Sequence, residues 1–168
     1  VFGVVRVCRT ILPHMRQRKT GVIVIIGSIA GLISVPFQSA YSASKFALEG
    51  FAEALRMEIK SFGIQVVLIE PGDFKTDFTR NRVVAKQAEA NPAYARKYKR
   101  ALSIMEHDEK NGPPPVVVAR LLEKILQHPA PGLRYPVGKM SERFVAGIKP
   151  FLPDKIYQWL IMKTYKLR

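Results

Sequence analysis

Acidic residues are scarce: 13 Asp and Glu stand against 27 Lys and Arg, a formal charge of +14. A field of that sign attracts anionic partners such as nucleic acid, acidic membranes or the phosphates of a cofactor. Cysteine is scarcer still. Cys8 is the single one, so an internal disulfide is excluded, and its place in an apolar helical pattern suits a small buried thiol in a reducing compartment. No apolar run approaches the ~18 to 20 residues of a membrane span. Arg6 and Arg9 interrupt the N-terminal apolar positions, unlike a signal peptide. No internal repeat or low-complexity tract is present, and no metal site is expected. What remains is a globular balance, 48% hydrophobic and 24% charged over 168 residues, ordinarily one domain. A soluble, cytoplasmic protein is the expectation.

The hydrophobic pattern alternates between two periods. Val1, Val4, Val5, Cys8, Leu12 and Met15 recur at helical spacing, and Pro13 should kink or reset the last turn before the basic cluster Arg16 to Lys19. Val22 to Ile26 is uninterrupted Val and Ile, as in a parallel strand buried on both faces. Leu48, Phe51, Ala52, Leu55 and Ile59 form a stripe opposite Glu49, Glu53, Arg56 and Lys60. That predicts a helix from about Ser42 to Ser61, stopped by Gly63. Ile64 to Ile69 is a second buried strand. Residues 73–112 carry no strand signal and read as a lid or recognition insertion, with Tyr94, Tyr98, Leu102 and Met105 on one side of a helix. After Pro113-Pro114-Pro115, a helix with Val117, Val118, Leu121, Leu122, Ile125 and Leu126 inward runs to Pro129. Gly132 to Gly138 reads as a short last strand, and helices begin near Ser141 and Asp154.

Two strands joined by a helix make a right-handed crossover, and ligands bind beyond the carboxyl ends of such strands. Ser28 and Pro71-Gly72 both fall there. Tyr41 and Lys45 share one helical face, and a neighbouring ammonium favours the charged form of a phenol, which otherwise titrates near ~10. A tyrosine so placed can trade protons, and a strand-end hydroxyl can bind the same substrate oxygen. Each residue has a plainer reading as well. Tyr41 could be half-buried packing, Lys45 a partner for Glu49, Ser28 a loop cap, Pro71-Gly72 a turn, and Thr76 a cap near Asp73 and Asp77.

Ser28 after Gly27, Tyr41-Ser42-Ala43-Ser44-Lys45, Ile69-Glu70-Pro71-Gly72 and Thr76, in this order and spacing, resemble the short-chain dehydrogenase/reductase family, closely over residues 1 to about 80. The resemblance implies an α/β fold, the C-terminal part of a Rossmann-type doubly wound parallel sheet: the last three strands with flanking helices. Residues 1–140 would belong to the catalytic domain and 141–168 to a helical tail. It further implies an oxidoreductase that moves hydride between NAD or NADP and a carbonyl or secondary alcohol. Ser28, Tyr41 and Lys45 would be catalytic. Tyr41, Lys45, Pro71, Gly72 and Thr76 would bind the cofactor. Ser28, Tyr94 and Tyr98 would bind an apolar substrate of steroid, retinoid or fatty-acyl type, and the tail loosely resembles hydroxysteroid dehydrogenase-like members. A homo-oligomer through helices 1–18 and 42–61 is expected on the same ground.

The family's glycine-rich first turn and Asn-Asn-Ala-Gly stretch are not in this sequence, and Val1-Phe2-Gly3 in relatives usually follows a catalytic asparagine. The chain is therefore expected to be the C-terminal part of a longer enzyme. The alternative is a non-catalytic fragment or interaction module. A rival enzyme reading comes from Ser42-Ala43-Ser44-Lys45 and Lys19-Thr20-Gly21, two signatures of penicillin-interacting hydrolases, here in reversed order. Most of the positive charge lies late, with ten Lys/Arg against six Asp/Glu in residues 1–80 and seventeen against seven in 81–168. No nucleic-acid reader motif accompanies Arg96 to Arg100, so no nucleic-acid partner is expected. In 154–168, Trp159, Leu160, Ile161 and Tyr165 are interleaved with Lys155, Lys163 and Lys166, a composition suited to a membrane surface, or to packing over the cleft or a partner subunit.

Overall fold

The computed structural model describes residues 1–85 and 90–167. Residues 86–89 of the 73–112 insertion, and Arg168 of the tail, lie outside that range. The elements in chain order are α1 (Phe2–Arg18), β1 (Gly21–Ile26), α2 (Ser39–Ile59), β2 (Ile64–Pro71), α3 (Ala95–Lys110), α4 (Val116–Gln127), β3 (Arg134–Val137), α5 (Met140–Ile148) and α6 (Asp154–Thr164). Among the described residues the sheet has three parallel strands in the order β1-β2-β3. Gly21 pairs with Ile64 at one end of the first ladder, and Pro71 with Val137 at the end of the second.

The unbroken apolar runs follow from coverage of both sheet faces. Ile23, Ile25, Ile64, Val66 and Leu68 pack against Cys8 of α1 and Leu48, Ala52, Leu55 and Ile59 of α2. Val67 and Ile69, with Val22 and Val24, face Ile125, Val117, Val118, Leu121 and Leu122 of α4. Alternate residues of one strand thus serve two cores. β2 is the most enclosed, with Val66, Val67, Leu68 and Ile69 all 0% exposed. Arg56 ties α2 to the sheet by donating to the carbonyls of Val66 at 2.5 Å and Pro131 at 2.7 Å.

Several local expectations shift. Pro13 does not break α1, which continues to Arg18 and ends at Lys19 in the left-handed region (φ 52°). The cost of the lost N–H is outweighed by Cys8, Leu12 and Met15 packing as one face. α2 begins at Ser39, three residues earlier than expected, which brings Tyr41 inside the helix. Glu49 and Arg56 are not on a solvated face: Glu49 is buried, and its charge is met by Arg134 of β3. Leu126 is 56% exposed because it falls off the inward stripe of α4. Gly63 ends the α2 region with φ 70°, where a side chain would meet the Lys19 carbonyl.

Leu68→Ala should cost about 2–5 kcal/mol of stability, since it opens a void in the enclosed centre of the sheet. Urea unfolding of both proteins checks this; an unchanged midpoint would show that β2 is not the core.

Candidate active site

Backbone pairing beyond the strand ends builds the site. Gly27 N–H donates to Ile69 O at 2.8 Å and Gly72 N–H to Val137 O at 2.8 Å, so the three carboxyl ends stay in register past the sheet. Ser28 then turns the chain in extended conformation and caps a short 3-10 turn, Ile29–Gly31, its Oγ accepting from Ala30 N–H at 3.1 Å. The same hydroxyl donates to Pro71 O at 3.3 Å. That long bond links the ends of β1 and β2. Ser28 therefore has the capping role read as its plainer alternative, and it also opens onto the cleft.

Tyr41 and Lys45 come from the first turns of α2. Lys45 Nζ lies 5.6 Å from the centre of the Tyr41 ring and donates to Gly27 O at 2.9 Å and Ile26 O at 3.3 Å. No Lys45–Glu49 ion pair forms among the described residues; Glu49 accepts from Arg134 Nε at 2.9 Å instead. Burial lowers the affinity of the Lys45 amine for its proton. Ser28, Tyr41, Lys45, Pro71, Gly72 and Thr76 all line one cleft of about 670 Å³ at the carboxyl end of the sheet. Its apolar side comes from Phe74, Met105, Val118 and Leu122. Thr76 also accepts from Phe78 N–H at 3.2 Å, so it caps a turn as well.

Tyr94 and Tyr98 are not brought into this cleft. Tyr94 is 58% exposed, and Tyr98 packs edge-on against Phe37 at 5.7 Å between ring centres. Ser42, the nucleophile of the rival hydrolase reading, is 3% exposed, accepts from Val35 N–H and is not among the residues that line the cleft, while Lys19-Thr20-Gly21 sits at the opposite end of β1. That arrangement does not make a hydrolase site.

Carboxylates are the residues that sequence reasoning missed. Asp73, Glu109 and Glu142 line the cleft beside Tyr165. Glu142 Oε2 accepts from the N–H groups of Asp73 at 3.3 Å and Lys139 at 3.2 Å, and a side chain at Gly72 would collide with it. Burial, with the charge of Asp73, pushes Glu142 up to about 7. Asp73 is raised by burial and by Asp108, against the pull of Lys139. Burial and these carboxylates raise Tyr165 as well. Only Glu109 left a signal, one turn after Met105 on the α3 stripe. Asp73 and Glu142 are gathered by strand ends far apart in sequence.

Behind the cleft lies a second acidic group. Glu70 is 0% exposed and faces Glu49, with Arg134 Nε 3.9 Å from its Oε1. Burial first and Glu49 second push Glu70 up to about 8.

Residues 1–87 match the model of the short chain dehydrogenase family, and the chain belongs to that family. It is 41% identical over 167 residues to the 3-ketodihydrosphingosine reductase of Bacteroides thetaiotaomicron, covering 99% of this chain and 62% of that protein. It is 34% identical over 145 residues to mouse 17-beta-hydroxysteroid dehydrogenase type 1, covering 80% of this chain and 40% of that protein. A short-chain dehydrogenase structure from Streptomyces avermitilis superposes with a TM-score of 0.71 at 34% identity, over 97% of this chain and 58% of that one. A Burkholderia phymatum family member in complex with NAD superposes with a TM-score of 0.65 at 25% identity, over 81% of this chain and 50% of that one. The chain thus spans less than two thirds of the length of these relatives.

Glu70 sets a pH dependence of stability. Below its usual 4.5 the carboxyl is protonated folded or unfolded. Between 4.5 and about 8 the folded chain keeps a proton that the unfolded chain has released, so stability falls as pH rises through this window. The urea midpoint should drop from pH 5 to pH 9, and Glu70→Gln should flatten the drop. An equal slope in wild type and variant would remove Glu70 as its source.

Proposed function

We propose that the protein carrying this chain is an NAD(P)-dependent oxidoreductase acting on the carbonyl or secondary alcohol of an apolar substrate. One observation carries the reading: Ser28, Tyr41 and Lys45 meet Pro71-Gly72 in a single cleft beyond the carboxyl ends of parallel strands. The residues suit the nicotinamide half of a dinucleotide. Lys45 has two of its three protons on the Ile26 and Gly27 carbonyls, which leaves one for a ribose hydroxyl. When bound, the nicotinamide supplies or accepts the hydride.

Tyr41 gives its phenolic proton to the substrate oxygen during reduction and takes it back during oxidation. Lys45, its Nζ 5.6 Å from the centre of the ring, would bind the nicotinamide ribose, as the family resemblance implies. Ser28 donates to the same oxygen by exchanging its 3.3 Å bond to Pro71 O. Pro71, Gly72 and Thr76 would flank the nicotinamide. Phe74, Met105, Val118 and Leu122 favour an apolar substrate, in keeping with relatives named for a ketodihydrosphingosine, retinol and a hydroxysteroid. In the full chain, Tyr41→Phe should lower turnover about 10²- to 10⁴-fold and leave cofactor affinity unchanged. Undiminished activity would sink the assignment. The alternative of an interaction module is favoured by the apolar side chains exposed on α1, Phe2, Val7 and Ile11. Cofactor-dependent turnover by residues 1–168 alone would eliminate it.

The C-terminal segment supports a membrane-surface role. Among the described residues no helix is long and apolar enough to cross a membrane. Phe151 is 83% exposed, and Ile156, Trp159 and Leu160 are also exposed near Lys155 and Lys163. Such a face suits the interface of anionic lipid. Trp159→Ser with Leu160→Ser should weaken co-sedimentation with vesicles containing phosphatidylserine; unchanged binding would rule out this surface.

A further inference from the structure

We propose that Tyr157 of α6 is a positioning residue of the cleft: it fixes the loop between β1 and α2, whose Ile33 and Val35 wall the substrate site, and so sets how well the site takes a long apolar substrate. Tyr157 lies well beyond residues 1–87 that match the family model, and its role rests on the reading of this cleft as the substrate site.

The loop has little structure of its own. After the 3-10 turn Ile29–Gly31 the chain runs irregularly until α2 begins at Ser39, and Ile33, Val35 and Gln38 within this stretch line the cleft. Such a segment keeps one shape where outside groups hold its backbone. Ser42 Oγ holds one point, accepting from Val35 N–H at 3.3 Å. Ser34, between Ile33 and Val35, is held from 123 residues away. Its N–H donates to the Tyr157 hydroxyl at 3.0 Å, and that hydroxyl donates to the Ser34 carbonyl at 3.0 Å. One phenol thus satisfies both backbone groups of Ser34, because a hydroxyl is donor and acceptor at once.

Tyr157 is itself firmly placed. It is 9% exposed in the first turn of α6, where its own N–H donates to Pro153 O at 3.1 Å. Burial raises the phenol above its ordinary range, so it keeps the proton that it gives to Ser34. Lys149, between α5 and α6, adds a second hold on the same loop. Its Nζ donates to Leu32 O at 2.8 Å and lies 4.8 Å from the centre of the Phe46 ring of α2 and 5.5 Å from that of Tyr157. Just past the other end of α6, Tyr165 joins the cleft lining. Ser28 and Tyr41 are held by other means, the one by Pro71 O and the other by the first turn of α2. Loosening Ser34 should therefore spare the reacting groups and blur a wall that a longer chain meets over more of its length.

The test is calorimetric titration of the full chain, with NAD(P)H bound, by octan-2-one and by butan-2-one. Wild type should favour the longer ketone, whose extra methylene groups are buried. Tyr157→Phe keeps the ring and removes the hydroxyl; the preference should shrink at least ~5-fold, the scale of one lost hydrogen bond. Affinity for NAD(P)H should stay unchanged, and amide hydrogen exchange at Ser34 should quicken. A preference absent from the wild type or retained in the variant overturns the inference. So does an equal weakening of both ketones, which marks a merely structural role, or a lost preference with unchanged exchange at Ser34. If Tyr157→Phe does not fold, Lys149→Met decides by the same ratio. Turnover of octan-2-one separates this role from the reading beneath it. No turnover by the wild type, with the preference lost in the variant, sinks the oxidoreductase reading alone, whereas turnover with the preference retained in the variant sinks the positioning role alone.

Discussion

A strand buried on both faces can satisfy its backbone only through its neighbours, and β2 is such a strand. Its amides and carbonyls go to β1 on one side and β3 on the other, and its side chains alternate between two cores. Everything at the cleft hangs from its carboxyl end. Pro71 O accepts the Ser28 hydroxyl, Gly72 N–H reaches Val137 O, and Ile69 O receives Gly27 N–H. The Lys45 ammonium is then held by the Ile26 and Gly27 carbonyls that this pairing aligns. A shift of β2 by one residue would exchange its two cores and move all of these groups together.

Charge is distributed against its own average. A chain with twice as many basic as acidic residues collects carboxylates inside, in one group behind the sheet end and another along the cleft. The two are solved differently. Behind the sheet, Arg134 reaches Glu49, Glu53 and Glu70 at once, and Glu70 keeps its proton well into the neutral range. Along the cleft, Arg82 pairs with Glu109 and Lys139 with Asp108, and Glu142 accepts from the backbone N–H groups of Asp73 and Lys139. Glu49 and Glu70 are enclosed behind the sheet, whereas Asp73, Glu109 and Glu142 belong to the lining of the cleft. Burial raises the carboxyl groups in both places, and each keeps buried oxygens without a hydrogen-bond partner among the described residues.

Local patterns were legible because short-range physics made them. The Val/Ile runs became the strands, the α2 stripe became its buried face, and Tyr41 with Lys45 share a helix face because 3.6 residues make a turn. Where a distant partner decided the outcome, the pattern misled. Glu49 looked solvated until Arg134 arrived from β3, Pro13 looked disruptive until its helix was clamped to the sheet, and Tyr94 looked like a cleft residue although it faces solvent.

The sequence by itself determined the alternation of buried strands and amphipathic helices, the Tyr-x-x-x-Lys pair and the strand-end Ser28, since each rests on spacing within a few residues. Tertiary structure alone decided that Ser28, Tyr41, Lys45 and Gly72 border one cleft, and that Asp73, Glu109 and Glu142 stand around it. Those three come from segments up to 69 residues apart, Asp73 and Glu142 being joined by a single hydrogen bond. Their charges meet only because parallel pairing of β2 with β3 sets the two carboxyl ends side by side.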